Sequence, residues 1–273
     1  MRESERLVFV GGLHRSGTTP LARILGGHPD VSGLTGTGAK EDEGHHLQDV
    51  YPKVRRYGGV GRFALHPDAH LTESSPLVSP ANAERLLSAW RPHWDLDRTY
   101  LLEKSPSNIL AGGFLQAMFP GSALIVVVRH PVVVALATRK WSPRVVSRHG
   151  RGRMSLPGLV AHWLRAHEIF FADARRRERV HVLRYEDLVV DTAGELARMQ
   201  SFLGLPTSIA AGDLRADRSD RYQQQWATMA SGGPWQRRQR RLVEEQFGQA
   251  IATYGYGLDQ LSEVDRRVAM PLI

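Results

Sequence analysis

The sequence predicts an α/β fold in which a central parallel sheet is flanked by helices. Two continuous apolar runs, residues 7–10 and Ala123–Val128, are each followed by a turn and a helical pattern. Such runs are typical of parallel strands that are buried on both faces. A third run, residues 180–183, precedes residues 193–202, where apolar residues recur at helical spacing before Gly204. Strands and helices therefore alternate, as they do in a parallel sheet covered on both sides.

Two further segments are predicted to be helical. One helix follows Pro157 within residues 150–174, and another covers residues 235–254. Between the first two strands lies a long stretch, residues 32–80, that is rich in glycine and proline. Because long loops in compact domains are usually functional, we expect this stretch to face the substrate. We expect the 273 residues to form one domain, residues 1–273.

The composition narrows the class of protein. Apolar residues make up 42% and charged residues 23% of the chain, so general disorder is not expected. The chain has no cysteine, which excludes disulfides, thiolate metal sites and a cysteine nucleophile. We see neither a signal peptide nor an apolar run of about 18 residues, so we expect no membrane span and a cytoplasmic location. The net charge of +8 favours an anionic partner, such as a nucleotide, a sulfated or phosphorylated substrate, nucleic acid or a membrane surface.

A phosphate-binding loop is predicted directly after the first strand, where the sequence reads GGLHRSGTT. Gly12 and Gly17 have the spacing of a nucleotide-binding loop, but Thr18 stands where a nucleoside triphosphatase has lysine. The second apolar run leads into Arg129 and not into a magnesium-binding carboxylate. Both features argue against kinase or ATPase chemistry. Backbone N–H groups and a helix N-terminus still suit a phosphate dianion, and an arginine after the second run also indicates an anion.

Three motifs in this order resemble the sulfotransferases that use 3′-phosphoadenosine 5′-phosphosulfate (PAPS). The motifs are Arg15-Ser16-Gly17-Thr18-Thr19, Arg129, and RYEDL at residues 184–188 before FLGLP at residues 202–206. The first is most similar to the loop of tyrosylprotein sulfotransferases and related bacterial enzymes, including His28-Pro29-Asp30-Val31 after the helix. The resemblance implies a P-loop NTPase-like architecture and PAPS as the donor, with no metal ion.

The resemblance also implies how the donor is bound. The 5′-phosphosulfate would be held by the loop residues Arg15, Ser16, Gly17, Thr18 and Thr19. Arg129 would bind the 3′-phosphate with its planar guanidinium. Ala137 stands where the family usually has a second 3′-phosphate contact, a serine, so we expect Thr138 to replace that serine. Tyr185 would lie beside the adenine, although a core position is an equally good interpretation from the sequence.

Sulfuryl transfer needs a base for the acceptor hydroxyl and positive charge near the leaving oxygen. Arg15 and Lys104 match the cationic residues of the resembled enzymes. For the base we rank Glu43 first, His46 second and Glu41 third, because this acidic segment follows the phosphate loop as the family's glutamate does. His45 and His46 raise the possibility of a metal site, but complementary ligand spacing is missing, so no metal is expected.

The acceptor is expected to be a small molecule with a hydroxyl group: a natural product, a sugar or a lipid. Three segments are predicted to contact it, residues 32–80, 141–154 and 211–235. A nucleic-acid-binding protein is the main alternative, suggested by the net charge and the basic cluster Arg237, Arg238, Arg240 and Arg241. That cluster equally suits a contact with the donor's 3′-phosphate. A small-molecule kinase is the third interpretation, and the oligomeric state stays open.

Overall fold

The computed structural model describes residues 3–141, 154–212 and 219–270. Five parallel strands form one sheet in the order β2-β3-β1-β4-β5. They are β1 (Leu7–Gly12), β2 (Val31–Gly33), β3 (Tyr100–Lys104), β4 (Ala123–Val128) and β5 (Val180–Arg184). The predicted α/β fold with a central parallel sheet is therefore confirmed.

Helices cover both faces of this sheet. In chain order they are α1 (Thr18–Gly26), α2 (Pro80–Trp90), α3 (Gly112–Met118), α4 (Pro131–Trp141), α5 (Leu156–Ala174), α6 (Tyr185–Val190), α7 (Thr192–Leu203), α8 (Asp220–Met229) and α9 (Pro234–Ala252). None of the helices in the described ranges is long and apolar enough to cross a membrane.

Alternate residues of each strand face two separate cores, which explains why β1 and β4 are apolar without interruption. Leu7 and Phe9 of β1 pack in a large cluster with α4 and α5, whereas Val8 and Val10 pack against α1 and α7. The residues of β4 divide between the same two clusters. This burial on both faces is the physical reason that a continuous apolar run predicted each strand.

Two strands, β2 and β3, were not predicted. β2 has only three residues, and β3 ends in Glu103 and Lys104, which are buried although they are charged. β3 lies between β1 and β2, and Lys104 pairs in register with Val10. The sheet therefore brings Lys104 to the same carboxyl edge as the phosphate loop, which is the edge where open α/β sheets bind ligands.

The stretch between β2 and α2 contains short 3₁₀ turns, with bounds Lys40–Asp42, Gly44–His46, Val54–Tyr57, Phe63–Leu65 and Pro67–Ala69. Val50, Tyr51, Val54 and Phe63 anchor the stretch in the larger core. Its first two turns end up beside the carboxyl edge of the sheet, where Gly44 contacts the buried Glu103. The long stretch is thus packed structure that carries polar side chains to the site.

Candidate active site

The phosphate loop connects β1 to α1 through unusual backbone conformations. Gly12 and Gly17 have φ angles of 144° and 111°, and Arg15 is a non-glycine residue with φ 74°. Residues other than glycine rarely adopt such φ angles, and residues with a strained backbone of this kind cluster at ligand sites. Gly17 also lies against the ring of Tyr185, where a Cβ atom would clash. Both glycines of the motif are therefore required by the loop's shape.

The loop presents polar groups to a ligand. Ser16 is buried, and its Oγ atom has no hydrogen-bond partner in the described structure. Thr18 begins α1, whose N-cap Gly17 offers no side-chain cap to the first N–H groups. Because a helix N-terminus favours negative charge, these groups suit a phosphate or sulfate oxygen.

Arg129 follows β4 and is almost completely buried, with 6% of its surface exposed. One Nη atom donates to the carbonyl of Arg15 at 3.1 Å, and the other donates to Ser219 Oγ at 2.8 Å. The guanidinium also lies 4.1 Å from the centroid of the Tyr185 ring, while its Nε has no described partner. Burial lowers the pKa of Arg129, but an arginine still keeps its charge.

Arg129 and most of the phosphate loop line a cavity of about 690 Å³ that we call the donor pocket. Of the predicted donor residues, the buried Ser16 lies outside this lining, which contains Arg15, Gly17, Thr18, Thr19, Arg129 and Tyr185. Lys140 also lines it and was not predicted. Arg221 and Tyr222 line it too, although their segment, residues 211–235, was predicted to contact the acceptor. Arg221 donates to the hydroxyl of Tyr222 at 2.8 Å, and it follows a segment whose residues 213–218 lie outside the described structure.

The predicted donor contact Thr138 does not line the donor pocket. Ala137 lines the donor pocket, whereas Thr138 is buried and its methyl-bearing side faces Gly61. Adjacent residues of a helix differ by about 100° in direction, so α4 presents Ala137 and Lys140 to the pocket and turns Thr138 away. Thr138 is therefore not carried into the proposed site.

The basic cluster of α9 is also absent from the described lining of the donor pocket. Arg240 pairs with Glu244 at 2.7 Å and stacks over Trp226, and Arg241 lies 3.8 Å from Glu245. The acids four residues further along the same helix thus take up part of this charge. Within the described ranges, the basic residue that the chain after β5 contributes to the donor pocket is Arg221.

Glu43 and Lys104 form a buried ion pair beside the phosphate loop. Lys104 Nζ lies 3.0 Å from Glu43 Oε1 and 3.3 Å from Thr19 Oγ1. Ring nitrogens of His45 and His46 each lie 3.6 Å from Glu43 Oε2. Burial acts to raise the pKa of Glu43, but the contacts with His46 and Lys104 outweigh it and lower that pKa to about 2.

A second buried carboxylate, Glu103, holds this arrangement together. Glu103 Oε1 accepts from the backbone N–H of Gly44 at 3.0 Å and from the hydroxyl of Ser105. Its other oxygen accepts from Asn108 Nδ2 at 2.6 Å. Ser105 in turn accepts from the backbone N–H of His45 at 3.0 Å. Glu103 therefore ties the turn after Glu43 to β3. In the sequence, its position before Lys104 is the only indication of this role.

A second cavity, which we call the acceptor pocket, adjoins the first and has a volume of about 410 Å³. The two pockets share Arg15, Thr18, Thr19 and Glu41 in their linings. Glu43, His45, His46 and His14 line only the acceptor pocket. Burial lowers the pKa of His14 to about 4, and its Nδ1 has no described partner. His14 is not among the site residues predicted from the sequence.

Glu43, His45 and His46 also place three potential metal ligands within 4.8 Å of one another. The carboxylate is already paired with Lys104, and His45 Nδ1 lies 3.2 Å from Ser105 Oγ. An added cation would meet the Lys104 ammonium and compete for both ligands. Two of the three potential ligands therefore already have partners within the protein.

Comparison with known proteins places these residues in a family context. The model of the sulfotransferase family matches residues 8–208. Human heparan sulfate glucosamine 3-O-sulfotransferase 6 is 34% identical over 170 residues, which cover 52% of this chain and 46% of the human protein. Chicken protein-tyrosine sulfotransferase 2 is 26% identical over 207 residues, covering 74% of this chain and 52% of its own.

A third relative comes from Mycobacterium bovis. Its omega-hydroxy-beta-dihydromenaquinone-9 sulfotransferase Stf3 is 28% identical over 175 residues, 58% of this chain and 42% of the relative. The chain spans about half the length of these curated relatives. Their names point to three kinds of acceptor: a glucosamine of heparan sulfate, a protein tyrosine and a hydroxylated menaquinone.

Proposed function

The chain belongs to the sulfotransferase family, and we propose that it transfers the sulfuryl group of PAPS to a hydroxyl group of a small-molecule acceptor. The observation that carries this proposal is the junction of the two pockets. Glu43 faces the acceptor side, Thr19 belongs to the phosphate loop, and Lys104 bonds to both. The proposed base is thus in contact with a cation that also contacts Thr19, a residue that lines both pockets.

The donor pocket fits PAPS in size and in chemistry. A cavity of about 690 Å³ is within the range of roughly 300–1,000 Å³ that holds small-molecule ligands. Ser16 Oγ and Arg129 Nε are buried polar atoms that lack described partners, and a ligand phosphate would satisfy them. We propose that the loop residues hold the 5′-phosphosulfate and that Arg129, with Arg221 nearby, holds the 3′-phosphate.

In the proposed reaction PAPS supplies the sulfuryl group. The acceptor oxygen attacks sulfur in line as the bond from sulfur to the bridging phosphate oxygen breaks. The hydroxyl proton passes to Glu43, and Lys104 and Arg15 stabilise the charge on the leaving phosphate. A shift of Lys104 Nζ from Glu43 toward that phosphate raises the basicity of Glu43 at the moment the proton is accepted. The products are the sulfated acceptor and adenosine 3′,5′-bisphosphate.

Calorimetric titration with adenosine 3′,5′-bisphosphate and with AMP tests the donor assignment. We expect the bisphosphate to bind at least about tenfold more tightly, because one charge-assisted contact contributes roughly 1.5–3 kcal/mol. Arg129→Ala should abolish this preference. Arg165→Ala is the matched control, because Arg165 is an exposed arginine of α5 that pairs with Glu168.

Transfer itself is tested with labelled PAPS and a metabolite extract of the encoding organism, followed by mass spectrometry for the gain of one sulfuryl group. Failure to bind the bisphosphate, together with no labelled product, would overturn the proposal. Salt-sensitive DNA binding that the bisphosphate does not compete away would instead support the nucleic-acid-binding alternative.

A further inference from the structure

Three cations line the acceptor pocket without lining the donor pocket. They are Lys40, Lys53 and Arg55, and we call them the rim cations. Lys53 and Arg55 flank Val54, which is buried in the core and also lines the pocket. The buried valine holds the backbone of this turn in place, so both basic side chains start from fixed positions beside the cavity.

The two carboxylates of the pocket already have basic partners elsewhere. Glu43 pairs with Lys104 at 3.0 Å, and Glu41 lies 3.3 Å from Arg23 of α1. In the described part of the chain, no carboxylate oxygen lies within 4.0 Å of the charged nitrogens of Lys53 or Arg55. The acids of the pocket therefore do not neutralise these two rim cations.

Lys53 is also held close to the catalytic group. Its Nζ donates to the carbonyl of His46 at 2.7 Å, and the ring of His46 lies 3.6 Å from Glu43. A carbonyl partner orients the ammonium group without cancelling its charge. A ligand whose hydroxyl reaches Glu43 would thus place its neighbouring atoms near a fixed positive charge.

We propose that the acceptor carries an anionic group, a carboxylate or a sulfate, close to the hydroxyl that receives the sulfuryl group. This inference rests on the proposed function and narrows its substrate class. The rim cations bind the anionic group and position the hydroxyl, whereas Glu43 and Lys104 act on the reacting atoms. Positive charge at the rim also attracts such an acceptor from solution, which makes its binding dependent on ionic strength.

The test is binding of matched ligands to the protein saturated with adenosine 3′,5′-bisphosphate, measured by calorimetry. One pair is para-nitrophenyl β-glucuronide and para-nitrophenyl β-glucoside. A second is N-acetyltyrosine and its amide, and a third is glucosamine with and without an N-sulfate. We expect the anionic member of at least one pair to bind at least about tenfold more tightly at low salt.

Variants of the rim cations test their role, and a neighbouring arginine provides the control. Arg55→Glu should remove the preference for the anionic ligand, and Lys53→Met should reduce that preference. Arg56→Glu makes the same charge change one residue away, at an exposed position outside the pocket lining, and should preserve the preference. All three variants should bind the bisphosphate as the wild type does.

Equal binding of the neutral and anionic members in every pair, absent binding of all six ligands, or a preference that survives Arg55→Glu would overturn the inference. In each of these cases the donor assignment stands if the bisphosphate still binds. Loss of bisphosphate binding in the wild type would instead contradict the proposed function itself.

Discussion

Lys104 Nζ lies 3.0 Å from Glu43 Oε1, and both side chains are buried. Glu43 lines the acceptor pocket, whereas Lys104 lies behind the linings of both pockets. β3 positions the lysine, and a turn tied to Glu103 positions the glutamate. Because the same ammonium group also contacts Thr19 of the phosphate loop, the pair connects the proposed base with the proposed leaving group.

Lys104→Met should lower kcat by about 10²- to 10³-fold, because one preorganised charge near the leaving oxygen is lost. It should also destabilise the fold by roughly 3–5 kcal/mol near neutral pH, since Glu43 is left buried and unpaired. Kinetics at saturating donor and urea unfolding measure the two effects. In the double variant with Glu43→Gln, most of the stability loss should be recovered, and a purely additive loss would contradict the pairing.

The pH dependence of that stability has a definite sign. The pKa of Glu43 in the folded protein, about 2, is below its ordinary value of 4.5. The ion pair therefore stabilises the fold above the ordinary pKa, and this contribution is lost as the pH falls toward about 2. The stability difference between wild type and Lys104→Met should accordingly shrink on acidification through this range.

Glu43→Gln should lower kcat by about 10²- to 10⁴-fold, the usual contribution of a general base. His46→Ala should have a smaller effect, because His46 is partly exposed and contacts Glu43 from the pocket side. Affinity for the bisphosphate should change less than about twofold in both variants, since neither residue lines the donor pocket. Full turnover in both variants would show that the base is elsewhere, with His14 and Glu41 the next candidates.

Glu103→Gln should lower kcat although Glu103 lies outside both pocket linings. The carboxylate accepts hydrogen bonds from Gly44, Ser105 and Asn108. The NH₂ group of a glutamine would face one of these donors, and that hydrogen bond would be lost. We expect a stability loss of about 1–3 kcal/mol and a fall in kcat with an unchanged affinity for the bisphosphate. Glu84→Gln, at an exposed position of α2, is the control, and an unchanged kcat at full occupancy would contradict a positioning role.

Gly17→Ala should weaken bisphosphate binding and destabilise the protein by roughly 2–4 kcal/mol, since it combines backbone strain with a clash. The strain comes from φ 111°, and the clash is with the ring of Tyr185. Gly38→Ala separates the two effects, because Gly38 has φ 69° but nothing within 4 Å of an added Cβ. Its cost should be about 1–2 kcal/mol, and equal losses in the two variants would contradict the clash.

Buried histidines should make the protein sensitive to mild acid. Burial lowers the pKa of His162 to about 3 and those of His130 and His167 to about 4, from an ordinary value of 6.5. Below about pH 6.5 the unfolded chain therefore binds protons that the folded protein does not. The free energy of unfolding consequently decreases as the pH is lowered, by about 1.4 kcal/mol per pH unit for each histidine.

His162→Phe should reduce the pH dependence of the free energy of unfolding by the contribution of one histidine, about 1.4 kcal/mol per pH unit. The ring is buried beside Phe63, and its Nε2 has no described partner, so an apolar ring of similar shape is tolerated. Urea unfolding of wild type and variant at about pH 7 and pH 5 measures the slope. His66→Phe is the control at an exposed position, and identical slopes for wild type and His162→Phe would show that His162 is not the source.

Several elements could be predicted from local patterns because a local cause determines them. β1 and β4 are buried on both faces, so their sequences are continuously apolar, and Gly17 is required by the backbone of its own loop. The α/β fold and the sulfotransferase family are confirmed. One domain over residues 1–273, a cytoplasmic location and the identity of the acceptor stay predictions.

The sequence by itself determined the order of strands and helices, the phosphate loop and the residue types suited to an anionic donor, because each depends on residues close together in the chain. Only the tertiary structure decided which distant residues meet. Parallel pairing of β3 with β1 brings Lys104 to the loop, and the packing of α8 brings Arg221 to the donor pocket. Helix rotation turns Thr138 away, and burial sets the charge environment of Glu43, because contacts and desolvation depend on neighbours that lie far apart in the sequence.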